Sequence, residues 1–133
     1  MNRNAIIIKQ SSDGGRAIAV DEENAEDLLT FFRQDKRYQK KFNHICELIL
    51  GNHINRELYD KEEPDDKSKG VRAMKFFKGQ ENARVYCKEV STTDKTTVII
   101  AAEVLRRKKQ TKLTHKEINI IHRVASYEYD TIK

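Results

Sequence analysis

Thr97-Val98-Ile99-Ile100-Ala101-Ala102 carries the clearest fold signal in the chain. It is apolar on successive residues rather than alternate ones, the pattern of a strand covered on both faces and therefore central in its sheet. Two β candidates precede it at hairpin spacing, over 71–77 and 83–90, and the apolar run itself belongs to a third over 96–105. Lys78-Gly79-Gln80-Glu81-Asn82 and Ser91-Thr92-Thr93-Asp94-Lys95 separate the three. The spacing predicts an antiparallel meander.

Toward the amino terminus, Ala5-Ile6-Ile7-Ile8-Lys9 reads as a short strand that ends at Gly14-Gly15, where the chain can turn. Residues 16–20 supply a second strand for a hairpin. Asp21 stands where a helix cap belongs, and Ala25, Leu28, Leu29 and Phe32 recur at helical spacing after it. Asp35 caps a second helix carrying Tyr38, Phe42, Ile45 and Ile49, with Gly51 at its carboxy-terminal cap. The charged stretch 55–70, centred on Glu62-Glu63-Pro64-Asp65-Asp66, reads as an exposed, irregular loop. Beyond the meander, Thr114 and Glu117 form a capping box for a final helix with Ile118, Ile121 and Ala125 on its inner stripe, reaching about Tyr127. The expected fold class is α+β, a small antiparallel sheet with an N-terminal helix hairpin packed on one face and a C-terminal helix.

At 133 residues and 38% apolar composition the chain fits one domain over 1–133 with an ordinary core. No run approaches the roughly 18 apolar residues of a spanning helix, and 1–8 carries no signal-peptide pattern, so a cytoplasmic protein without membrane contact is expected. Cys46 and Cys87 are isolated in apolar surroundings, which predicts two buried thiols in a reducing compartment. His44, His53, His115 and His122 lack ligand spacing and no GxxxxGK loop occurs, so neither a metal nor a cofactor is expected.

Charge is unevenly distributed. Residues 1–66 hold 10 Lys/Arg against 14 Asp/Glu, net −4, whereas residues 67–133 hold 16 against 7, net +9. A basic half with Arg106-Arg107-Lys108-Lys109 just beyond a buried strand fits a phosphate-binding surface.

The order of segments over 71–129 resembles the RelE/HigB family of toxins from bacterial toxin-antitoxin pairs. Asn82-Ala83-Arg84-Val85-Tyr86 is similar to the family's strand with an Arg and aromatic pair, and 98–102 followed by Lys108-Lys109-Gln110 to its apolar strand running into a Lys-Lys turn. Leu113-Thr114-His115-Lys116-Glu117-Ile118 with Arg123 and Tyr127 resembles its closing helix. Glu103 and Arg106 stand in the neighbourhood where many HigB-like members carry a His and a Phe. The resemblance implies a RelE-like fold and a ribosome-dependent mRNA endonuclease that needs no metal. Its partners would be mRNA, the ribosome and a cognate antitoxin whose acidic or amphipathic segments cover the basic face.

Attack of a ribose 2′-hydroxyl on the adjacent phosphate needs a proton acceptor, a donor to the leaving 5′-oxygen, and cations for the added negative charge. Arg84, Tyr86, Glu103, Lys108 and Tyr127 are the catalytic candidates, with Arg84 the first choice for the transition state because guanidinium grips two phosphate oxygens. Glu103 is the carboxylate base and His122 the imidazole alternative. Lys88, Arg106, Arg107, Lys109, Lys112 and Arg123 are the RNA-binding candidates, and Tyr86, Tyr127 or Tyr129 can stack on a base. On an extended strand Arg84, Tyr86 and Lys88 share one face, expected to be open, and Val85 and Cys87 the other.

Structural readings stand beside these. Arg84 can serve only to pair with a cross-strand carboxylate such as Glu103, and Tyr127 and Tyr129 can close a core edge. A non-catalytic nucleic-acid or protein-binding module, or a ParE-like gyrase inhibitor, uses the same cations without cleaving RNA.

Overall fold

The computed structural model describes residues 2–106 and 114–133. In chain order it contains β1 (Asn2–Gln10), β2 (Arg16–Asp21), α1 (Ala25–Arg33), α2 (Lys36–Leu50), β3 (Tyr59–Lys61), β4 (Val71–Phe76), β5 (Ala83–Ser91), β6 (Thr97–Leu105), α3 (His115–Ser126) and β7 (Glu128–Ile132). A 3-10 turn, Asp66–Ser68, precedes β4.

The strands form one seven-stranded sheet in the order β3-β4-β5-β6-β2-β1-β7. This corrects the expected fold class: the sheet is mixed and seven-stranded rather than small and antiparallel, and the helix hairpin is not amino-terminal but follows β1 and β2, the two strands read from the sequence. Strands β4, β5 and β6 do form the antiparallel meander, and β6 is the central strand. The difference comes from two parallel pairings. β2 lies beside β6 with Ile18 opposite Ile99 and Val20 opposite Ala101. β1 lies beside β7 with Asn2 opposite Glu128. Parallel partners are joined through long crossovers and leave no turn signature in the sequence.

Strand alternation divides the core between the two sheet faces. On one face Ile18, Val20, Val85, Cys87, Ile99 and Ala101 meet the inner stripes of α1 and α2. Phe31 is edge-on to Phe76 at 5.1 Å and to Tyr38 at 5.2 Å, while Phe32 and Phe42 stack at 3.8 Å. Each such ring, fully withdrawn from water, contributes about 1.5–3 kcal/mol before entropy is charged against it. On the opposite face α3 sets Ile120, Ile121 and Val124 against Val71, Ala73 and Tyr86. The remainder of that face holds Ala5, Ala17, Ala19, Val98 and Ile100, packed with Tyr129 and Ile132 of β7.

Two of the three expected amino-terminal caps are in place; α1 instead begins after Asn24, which makes no side-chain cap bond, and Asp21 ends β2. Asp35 accepts from the Tyr38 amide at the start of α2, and Thr114 and Glu117 form the reciprocal capping box of α3. The charged stretch 55–70 departs from its reading as an irregular loop. Three of its residues form β3 on β4, Asp65 and Ser68 make a capping box around the 3-10 turn, and Ser68 is fully buried. His122 of α3 holds the Asp65 carboxylate at 2.7 Å.

Candidate active site

A β-bulge positions the central carboxylate. In the β5–β6 ladder Tyr86 faces Glu103 and Cys87 faces Ala101, so Ala102 is the extra residue on β6. Bulges bend a strand and re-aim the residues beside them. Glu103 thereby points to the α3 side of the sheet, where its carboxylate receives two donors. Arg123, in the last turn of α3, donates from Nε at 2.6 Å and also from its terminal nitrogen. The Tyr127 hydroxyl donates to the same carboxylate. Arg123 remains half exposed, at 51% of its side chain, while Glu103 is at 13%.

A second pair lies beside the first. Arg3, at the start of β1, and Asp21, at the end of β2, form a buried two-pronged ion pair with Nε to Oδ2 at 2.6 Å and the second prong at 3.0 Å. Arg3 also reaches Glu23 at 2.9 Å, and the Tyr129 hydroxyl donates to Asp21 at 2.7 Å. The Arg3 guanidinium lies 3.9 Å from the centroid of the Tyr127 ring, a cation–π contact that joins the two pairs. Lys88 closes the group from β5, donating to the carbonyls of Ala125 at 2.8 Å and Tyr127 at 2.6 Å.

The electrostatics follow from these partners. Its hydrogen bonds to Asp21 raise the Arg3 pKa, and those to Glu103 raise that of Arg123. Burial, with the bond to Glu103 second, pushes the Tyr127 phenol up to about 12, so it holds its proton at neutral pH. Burial and the bond to Asp21 do the same for Tyr129. Lys88 moves down because it is partly desolvated.

Of the residues singled out from the sequence, Glu103, Tyr127, Arg123 and Lys88 are brought together. Arg84 and Tyr86 share their strand face with Lys88 as expected, but that face is covered by α3 rather than open. Arg84 is 6% exposed and Tyr86 fully buried. Arg84 donates to Asn82 Oδ1 at 2.6 Å, and Glu103 is not its partner. Among the described residues neither Arg84 Nε nor the Tyr86 hydroxyl has a hydrogen-bond partner. Burial lowers the Arg84 pKa, against the opposing pull of Glu62 and Glu117, and burial raises that of Tyr86. Arg106 is paired with Asp27 of α1. Arg107, Lys108, Lys109 and Lys112 lie outside the described residues.

Arg3 and Asp21 were not among the residues singled out for chemistry. Asp21 does act as a turn acceptor, taking the amides of Glu23 and Asn24. The available signal was Arg3 itself, a cation in register with the inward positions Ala5 and Ile7 of β1. Among the described residues no three His, Cys, Asp or Glu side chains gather to hold a metal ion, and no helix is long and apolar enough to cross a membrane.

Comparison with known proteins returns no matching family model, no matching curated protein and no matching solved structure.

Proposed function

We propose that this chain is the toxin component of a toxin-antitoxin pair and cleaves mRNA, with the ribosome as the place of encounter, through Glu103, Tyr127 and Arg123. The observation that carries the reading is the carboxylate of Glu103, held at the end of the central strand by a phenol and a guanidinium from a different element. An acceptor, a donor and a phosphate-binding cation within one hydrogen-bond network are the parts that an internal 2′-hydroxyl attack requires. In sequence this strand leads directly into Arg107, Lys108, Lys109 and Lys112, which would supply further phosphate contacts.

In the proposed step Glu103 takes the proton of the 2′-hydroxyl as its oxygen bonds to phosphorus. The bond from phosphorus to the 5′-oxygen breaks, and that oxygen takes the Tyr127 proton. The products are a 2′,3′-cyclic phosphate and a free 5′-hydroxyl, and Tyr127 recovers its proton from Glu103 through their shared hydrogen bond. Arg123, half exposed, turns from Glu103 toward the phosphate. Arg84, buried and bonded to Asn82, takes no part in this step.

A second reading, a binding module that does not cleave, is favoured by one feature: Glu103 and Arg123 neutralise each other in the structure. Inducible expression of wild type, Glu103→Gln and Arg123→Gln, with cellular RNA 5′ ends mapped within minutes, separates the two. The nuclease reading expects new 5′-hydroxyl ends inside translated frames, reduced about 10²–10⁴-fold by Glu103→Gln. RNA binding by the purified protein without new ends gives the binding module. New ends undiminished in Glu103→Gln remove Glu103 from the chemistry.

A further inference from the structure

The sheet face opposite Glu103 carries a feature that this chemistry does not use. Between β1, α1 and α2 lies a groove of about 460 Å³ with Ile8, Leu29, Phe32 and Phe42 forming its apolar part and Lys9 and Arg33 its charged part. Gln39 and Asn43 add two amides, and no carboxylate is among its lining residues. Phe32 and Phe42 are stacked on each other at 3.8 Å and are nearly buried, so neither offers a free ring face to a nucleobase.

The adjoining helix is charged against its own dipole. The first two turns of α2 carry Lys36, Arg37, Lys40 and Lys41, its first turn has no acidic residue, and the Asp35 carboxylate at the cap is engaged with the Tyr38 amide. A helix amino terminus holds partial positive charge, so cations there are disfavoured unless something negative meets them. Arg37 has a partner in Glu81, and Lys41 lies 5.3 Å from the Phe77 ring. The exposed side chains of Arg33, Lys36 and Lys40 make no ion pair or hydrogen bond with any described residue. By helical spacing Lys36 and Lys40 stand on the same side of α2 as the groove residues Gln39 and Asn43.

We propose that this groove docks an acidic segment of a partner protein, which sets an aliphatic or aromatic side chain over Ile8 and Leu29 and lays its carboxylates on Arg33, Lys36 and Lys40. An apolar slot bordered by unpaired cations matches such a segment in both shape and charge. A bound segment here leaves Glu103 and Arg123 on the other face untouched, so the inference does not depend on RNA cleavage.

The test uses a random peptide library panned against the intact chain, followed by fluorescence anisotropy with the enriched peptides as synthetic probes. The expected peptides carry two or more Asp or Glu around a Leu, Ile or Phe. Their affinity falls on the order of tenfold or more in the double variant Arg33→Glu/Lys40→Glu and is kept in Lys95→Glu, remote from the groove. Both rim residues are exposed, and an unchanged circular-dichroism melt verifies the fold. Enrichment of peptides without net negative charge, or equal binding to the rim variant, overturns the proposal. So does binding of a uridine oligonucleotide or of phosphatidylserine vesicles that is lost in the same variant while no acidic peptide binds.

Discussion

The guanidinium of Arg3 lies 3.9 Å from the centroid of the Tyr127 ring and so bridges two charge pairs from distant parts of the chain, Arg3 with Asp21 and Arg123 with Glu103. One cation thus ties β1, β2 and the junction of α3 with β7 to the end of the central strand.

Removing Asp21 takes the two-pronged carboxylate partner away from the buried Arg3 guanidinium. Asp21→Ala is expected to cost about 3–5 kcal/mol in urea unfolding, as breaking one side of a buried pair does. Arg3→Met/Asp21→Leu, which removes both charges, is expected to recover most of that loss. If the double variant is as unstable as the single, the pair is not the source of the cost.

Tyr127 holds its proton more tightly in the folded chain than in the unfolded one. Its contribution is fully present below the ordinary tyrosine value near 10 and is lost as pH rises toward about 12. Spectrophotometric titration near 295 nm is expected to show one fewer phenol ionising in Tyr127→Phe at the upper end of that window. Stability between pH 10 and 12 is expected to fall less steeply in the same variant.

The Asp65 carboxyl lies below its ordinary range because of its hydrogen bond to His122. A carboxyl held low adds stability above its unfolded pKa and loses it as pH falls through the folded value. His122→Ala is expected to move the Asp65 carboxyl upward in a carbon-detected NMR titration, part of the way because the Ser68 and Lys67 bonds remain. Hydrogen exchange in the 3-10 turn is expected to quicken in that variant, and unchanged exchange would show that the contact does not hold the turn.

Both thiols are buried, and burial pushes Cys46 up to about 12 and Cys87 up as well. The native protein is therefore expected to be inert to a disulfide-exchange reagent at neutral pH. Two thiols should react once it is unfolded in urea. Prompt native-state reaction would place at least one of them in contact with solvent.

The individual elements were more legible than their assembly. The unbroken apolar run of β6, the Asp35 cap of α2 and the Thr114–Glu117 box of α3 are local signals, and each stands where the sequence puts it. The parallel partners of β6 and β1 are chosen by contacts made far apart in sequence, and no turn residue announces them. β7 was hidden because Glu128-Tyr129-Asp130-Thr131-Ile132 becomes a strand through its pairing with β1 rather than through strong local preference. Arg84 read as exposed because a cation at alternate strand spacing usually faces water, and alternation cannot reveal that α3 lies over it. The basic patch on α2 was masked by counting: it sits in the half of the chain whose net charge is −4.

The parallel pairing of β1 with β7 also orders events in time. At about 5–20 residues per second of synthesis, Arg3 exists for roughly 6–25 s before Tyr127 is made. Until the later strands emerge, the first hairpin has two open edges, one awaiting β6 and the other β7. A nascent chain whose last residues are still within the ribosome can pair Arg3 with Asp21 but lacks the Tyr127 ring beside Arg3 and the Arg123 partner of Glu103. The proposed RNA-cleaving group comes together only once Arg123 and Tyr127 have emerged and packed onto strands made before them.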